Sequence, residues 1–292
     1  MKPLISFIVT YHNEPKALLE ACLGSIRALR LSADEAEVIV VDDGMTLSDS
    51  PLLGETLVRQ EQSGLSVARN TGIDASQGRY IQFVDADDAI IPEAYEIVLE
   101  QLRKGQADVV LFRMTKKDSS KSPLKSETSS LPLREGRGGS FLQHRNLRAA
   151  AWGYAFRRSV LGELRFCPGI LHEDELFTPQ LFLRANSLVE LDAEAYFYRQ
   201  HEGTITHSKE PGKVKKRLDD IHFILRELNS LGNPLLERRV RQLTVDYLQN
   251  VWTLTHSIGE VRRRARELRG EGFLPLPMRR YSLRYLLFSL FV

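Results

Sequence analysis

Cysteine is almost absent: Cys22 and Cys167 are the only two in 292 residues, far apart and in no metal-type spacing. That excludes a disulfide framework and a cysteine-built zinc site, and it fits a reducing compartment. Long apolar runs are missing too. The N-terminal "PLISFIVTY" lacks a small-residue cleavage site and runs into polar "HNE", so a first β-strand is expected there instead of a signal peptide. The closing "MRRYSLRYLLFSLFV" is apolar and aromatic, but shorter than the roughly 20 residues that span a bilayer. No glycine-rich, Lys/Arg-bearing phosphate loop follows the first strand, where "TYHNE" is acidic instead, which speaks against a nucleotidyltransferase.

The overall charge of +2 hides an uneven distribution. Residues 213–292 hold 16 of the 40 Lys/Arg but only 8 of the 38 Asp/Glu, so the body is acidic and the tail basic. For the tail, with Arg279, Arg280 and Arg284 among Tyr281, Tyr285, Leu286 and Phe288, two readings stay open: a helix lying on an anionic membrane surface, or a C-terminal helix docked on the core.

Along the chain, apolar runs alternate with helical patterns. Strands are expected at 4–10, 37–43, 56–60, 79–85, 107–114 and 188–200, with helices at 15–29, 65–75, from Pro92 to near Gly105, and at 175–185. The unbroken Val, Ile, Leu and Phe of the early strand runs suit a mostly parallel α/β sheet covered on both faces. Residues 116–140, rich in Ser, Lys and Gly, are expected to form a loop. From Lys213 onward the pattern is helical.

Three polar clusters fall at strand ends: "TYHNE" (10–14), "VDDG" (41–44) and "VDADD" (84–88). Ligands of open parallel sheets sit off the carboxyl ends of the strands, so together these outline one crevice, although any one alone reads as an ordinary turn. Holding Asp85, Asp87 and Asp88 together is unfavourable unless the run is solvated or a cation lies among them.

These residues resemble glycosyltransferase family 2, which has the GT-A fold. The resemblance covers about residues 3–206 through "ISFIVTYHNEPKALLEACLGSI", "VIVVDDGMTLSDS", "SGLSVARNTGIDASQGRYIQFVDADD", "ILHEDELFTPQLFLRA" and "YFYRQHEGTIT", in order. It implies a Rossmann-like, mostly parallel sheet with flanking helices in residues 1–210, divided into a nucleotide-sugar-binding half (1–115) and an acceptor or catalytic half (141–210). A helical C-terminal region follows at 211–292. It also implies inverting transfer of a sugar from a nucleotide-diphosphate donor, often UDP-linked, to an acceptor hydroxyl. A nucleoside diphosphate would be repelled by the aspartates without a divalent cation, so Mn²⁺ or Mg²⁺ is the expected cofactor.

The resemblance places donor contacts at Thr10, Tyr11, Glu14, Asp42, Asp43, Asp85 (near the ribose) and Ala86, with Arg69 over the base or a phosphate and Asp87 on the metal. Asp88 is a second candidate whose bland reading is a turn or N-cap residue. In "LHEDELF" it makes Asp174 the base beside Glu173, both toward the acceptor; without it, Asp174 reads first as a helix-start residue. Trp152 is either a platform for the acceptor sugar or a core residue. His201 and His207 lie in "YRQHEGTITHS", which resembles the family's closing segment, and both are secondary candidates because relatives more often carry Arg there.

The implied partners are a nucleotide-sugar and a sugar or lipid-linked saccharide acceptor of a bacterial surface polysaccharide, lipopolysaccharide or capsule pathway, at the cytoplasmic face of the plasma membrane. A non-catalytic nucleotide-sugar-binding subunit is the alternative, though it would tolerate loss of Asp87 and Asp174, and both are present. A nucleic-acid binder would account for the basic tail but not for an acidic crevice.

Overall fold

A computed structural model describes residues 2–47, 53–116, 134–199, 210–283 and 285–286. The first unit is β1 (Ile5–Tyr11), α1 (Lys16–Arg27), β2 (Ala36–Asp43) and β3 (Thr56–Gln60). Every residue of β1 is buried, and α1 turns Leu19, Cys22, Leu23 and Ile26 inward at helical spacing. Next come α2 (Leu65–Ala75), β4 (Tyr80–Asp85), the short β5 (Ala89–Ile90), α3 (Pro92–Lys104) and β6 (Val109–Thr115). Proline opens α3, Arg103 and Lys104 face the negative end of its dipole, and Gly105 closes it with φ 66°.

The second part holds β7 (Arg134–Gly136), α4 (Gly138–His144), β8 (Tyr154–Arg157), α5 (Asp174–Arg184) and β9 (Leu188–Phe197); α6 (Pro211–Ser230), α7 (Glu237–Thr255) and α8 (Ile258–Gly270) follow. One sheet runs β3-β2-β1-β4-β8-β6-β9-β5, with β7 on β9. The first four strands are parallel, and β8 enters antiparallel between β4 and β6. The mostly parallel sheet is therefore as expected, whereas β8 had no signal of its own, being four residues long inside "AAAWGYAFRRSVL".

The expected loop at 116–140 needs correction at its far end. Residues 134–136 are a strand and α4 starts at Gly138; residues 117–133 lie outside the described set. Gly138 and Gly139 serve packing. A Cβ on Gly138 would sit 2.1 Å from the Phe182 carbonyl oxygen, so α4 lies directly against α5 only because that atom is missing.

Alternation in β1 divides the core. Ile5, Phe7 and Val9 join α1 and α3 on one face, while Ile8 joins Val41, Phe83, Phe156, Phe177 and Phe182 on the other. That second cluster continues without a break into Leu218, Ile224, Leu225, Leu243, Leu248 and Val251 of α6 and α7. Across the expected boundary at 210/211 the core is shared.

Candidate active site

Strand register builds the crevice. Thr10 pairs with Val41 and Asp85, and Tyr11 pairs with Asp42, so the ends of β2, β1 and β4 deliver their polar residues side by side at the ~4.8 Å spacing of neighbouring strands. Tyr11 is buried and its hydroxyl donates to the Glu14 carbonyl at 2.9 Å. Asn13, with φ 62°, bends the chain so that the Glu14 carboxylate returns to accept from the His12 backbone N–H.

Asp42 and Asp43 are occupied by the protein itself. Asp42 is fully buried and accepts from the N–H groups of Thr46 (3.1 Å) and Leu47 (2.9 Å) and from the Thr46 hydroxyl. It fixes the turn after β2. Asp43 accepts from the N–H of Ser63 (2.7 Å) and Gly64 (2.8 Å), just ahead of α2, and from Gln60 Nε2 at 2.8 Å. Its charge thus sits at the positive end of the α2 dipole.

The end of β4 carries the acidic run. Asp85 has about a quarter of its side chain exposed, Ala86 and Asp88 are buried, and Asp87 is half-buried. Burial raises the Asp85 pKa, the Arg69 charge opposes that, and Asp87 adds to it. Glu14 is likewise raised by burial first and in part by Asp87, which brings the strand ends together electrostatically. Asp88 is pushed up to about 8 by burial and by Asp85 and Asp87. It accepts from the Tyr196 hydroxyl and the Arg199 N–H, both at 2.8 Å, while Arg199 Nε donates to the Asp87 carbonyl at 2.9 Å. Asp88 therefore ties the acidic turn to the end of β9, a tighter role than a turn residue. Neither Tyr196 nor Arg199 is a candidate from sequence alone, although both lie in "YFYRQHEGTIT", the last segment of the family resemblance.

Arg69 joins the two halves. It is 3 % exposed, lies over the Phe83 and Phe166 rings, and donates to Asp85 at 3.1 Å and to Glu173 through a short ion pair. Arg69, expected over the base or a phosphate, thus forms a carboxylate–arginine–carboxylate bridge between Asp85 and Glu173. Glu173, expected toward the acceptor, is 7 % exposed and spends its charge on Arg69. The position of α2 that makes this possible depends on Gly72, where a Cβ would lie 2.2 Å from Ile8 Cγ2.

Asp174 begins α5 two residues after His172, whose φ of 61° turns the chain toward the helix, with Glu173 as its N-cap. Its carboxylate is half-buried, and no hydrogen-bond donor holds it among the described residues. Burial pushes its pKa up to about 8, with Glu173 and Glu175 contributing and Arg69 opposing. Such a group titrates near neutral pH, as a general base should. Trp152 stacks on Tyr196 (4.6 Å, 7°) and Tyr198 (5.6 Å, 25°), with the Arg148 guanidinium 5.9 Å away, so it is a half-buried member of an aromatic wall. His201 and His207 lie outside the described residues.

Fold and crevice define a class: a GT-A-type α/β protein with an acidic site across the carboxyl ends of its strands. Comparison with known proteins makes it particular. The sequence profile of glycosyl transferase family 2 matches residues 6–165, and the chain belongs to that family. The Bacillus subtilis glycosyltransferase EpsJ is 30 % identical over 224 residues, covering 70 % of this chain and 64 % of EpsJ, so the chain spans under two thirds of that relative. The fold of S. aureus TarS 1–349, in complex with UDP-GlcNAc, superposes with a TM-score of 0.63 at 23 % identity over 87 % of this chain and 73 % of that one. The Pyrobaculum calidifontis mannosyltransferase PcManGT, in complex with GDP-Man and Mn²⁺, gives 0.55 at 16 % over 100 % and 87 %. At these identities the two structures speak to fold alone.

Proposed function

We propose that the chain is an inverting glycosyltransferase that moves a sugar from a nucleotide diphosphate, a UDP-sugar in the first instance, to an acceptor hydroxyl in surface polysaccharide, lipopolysaccharide or capsule synthesis. The observation that carries this is Asp174: a carboxylate with a raised pKa that no donor among the described residues holds, joined to the strand-end aspartates through Glu173, Arg69 and Asp85. Asp174 takes the proton from the acceptor hydroxyl; the oxygen attacks the anomeric carbon, and the bond from that carbon to the diphosphate breaks, the nucleoside diphosphate leaving with the electron pair. Glycosidases of the usual kind use two carboxyl groups because their leaving group needs a proton, whereas a diphosphate departs without one.

Among the described residues no group of three or more His, Cys, Asp or Glu is arranged to hold a metal by itself. The donor set nevertheless fits a hard cation shared with phosphates, because Glu14 and Asp85 are both raised, first by burial and in part by the charge of Asp87, and a positive charge among the three would relieve it. Asp87 would hold Mn²⁺ or Mg²⁺, which would offset charge on the departing diphosphate. In support, PcManGT, of similar fold, binds GDP-Man and Mn²⁺, and TarS binds UDP-GlcNAc. A lipid-linked acceptor would place the protein at the inner face of the plasma membrane. No helix among the described residues is long and apolar enough to cross one.

The test is isothermal titration with UDP, GDP, CDP and TDP, each with Mn²⁺ and with EDTA, on the native chain and on Asp87→Ala. Metal-dependent binding of one nucleotide that the substitution abolishes is expected. No binding in either condition would favour a non-catalytic role over the transferase.

A further inference from the structure

Three carboxylates follow one another where α5 begins, and the outer two are each clamped by a buried arginine from a different part of the chain. Glu173 is paired with Arg69 of α2; Glu175 is paired with Arg239 of α7. Arg239 is 5 % exposed, and its other terminal nitrogen donates to the Leu147 carbonyl at 3.3 Å. Asp174, between them, has neither an arginine nor any other donor among the described residues. The preceding loop is pinned from α6: Lys216 Nζ donates to the Gly169 carbonyl at 2.7 Å, and the Leu171 N–H donates to Asp220 at 2.8 Å. The charged and titratable groups around Asp174 are Glu173 and Glu175 on its own segment, Arg69 from α2, Asp85 from β4 and Tyr154 from β8.

We propose that Arg239 is a positioning residue for the transfer centre: by holding Glu175 it fixes the first turn of α5 and leaves Asp174 as the uncompensated carboxylate of the three, so that α7 is part of the catalytic framework. Its relevance to transfer rests on the reading of Asp174 as the base; the clamp itself does not. A buried arginine that loses its partner, or the reverse, leaves an uncompensated charge in a poorly solvated place. Without Arg239 the Glu175 charge therefore acts on Asp174 unopposed. If α7 merely packed against α5, removing Arg239 would weaken the fold equally whether or not residue 174 carries a charge.

A mutant cycle on the whole chain separates these cases. Melting temperatures are measured at pH 5 and pH 8.5 for Asp174→Asn in the native background and in Arg239→Met, Arg239→Lys and Glu175→Gln. At pH 8.5 the stabilisation by Asp174→Asn is expected to be about 2–4 °C larger in Arg239→Met, near native in Arg239→Lys, and smaller in Glu175→Gln. At pH 5, where Asp174 is protonated, the differences should vanish. If Arg239→Met does not fold, Glu175→Gln carries the test alone, since it removes charge without breaking the helix. Additivity in every background at both pH values would overturn the proposal. Release of UDP from UDP-N-acetylglucosamine and Mn²⁺ by native and Asp174→Asn chains is scored separately: turnover that survives Asp174→Asn overturns the base assignment while leaving a measured clamp in place.

Discussion

Asp174→Asn should make the protein more stable and inactive at the same time, and the sign follows from the site. The carboxyl has a folded-state pKa of about 8 against 3.8 for the free group. Between those values the folded chain holds a proton that the unfolded chain has released, so stability falls as pH rises from about 4 to 8 and is level beyond. At 1.36 kcal/mol per unit the ceiling is about 5–6 kcal/mol. Two effects reduce it: water and local relaxation screen a half-buried carboxylate, and an ionised Asp at a helix start gains roughly 0.3–1 kcal/mol from the dipole that Asn forgoes. A net gain of about 1–3 kcal/mol above pH 8 is expected, which for a chain of this size is roughly 2–8 °C in melting temperature. Asp88, also raised to about 8, is present in both proteins and cancels in the difference. The assay is differential scanning fluorimetry of both proteins from pH 4 to 9, beside sugar transfer once a donor is known. A melting-temperature difference that does not grow between pH 4 and 8, or a variant less stable at pH 8.5, would refute the account of why this carboxylate is available as a base.

Further outcomes are expected elsewhere. Gly72→Ala should destabilise by about 1–3 kcal/mol or more in urea unfolding, because α2 must back away from Ile8 to admit the methyl group; an unchanged midpoint would show that the helix has room. Tyr196→Phe removes a donor to Asp88 and should lower stability by roughly 1–3 kcal/mol at pH 9, where Asp88 is charged, but less at pH 6, where it is protonated; equal losses at both would dissociate the bond from the charge. Met278 and Leu283, 65 % and 76 % exposed beside Arg279 and Arg280, are the described tail residues suited to an anionic bilayer. Replacing Met278 and Leu283 by Ser should weaken sedimentation with phosphatidylglycerol vesicles several-fold, and unchanged binding would remove these two side chains from the membrane account. Deleting 276–292 is the poorer test, since it also removes the buried Leu276 and Tyr285.

Much of the first half was legible because its information is local. The unbroken apolar strands, the helix at 65–75 and the polar ends of β1, β2 and β4 each declare themselves within about a dozen residues, and parallel pairing then brings those ends together without further choice. β8 was not legible: four residues give no period, and its place is set by the neighbours β4 and β6, which come from elsewhere in the chain. Gly138 misled for a related reason, since a glycine required by close helix packing looks the same in sequence as one required by a turn.

The site divides along the same line. Residue types at strand ends revealed which carboxylates gather, but not which remain open, because that depends on donors arriving from distant segments. Asp42 is sealed by its own turn, whereas Glu173 and Glu175 are neutralised by Arg69 and Arg239, 104 and 64 residues away. Asp174 stands out only after those partners are in place, so what singles it out among the described residues is what its neighbours have been given and it has not. That account makes the basic C-terminal region, whose charge alone suggested a surface role, a contributor of one buried arginine to the centre of the molecule.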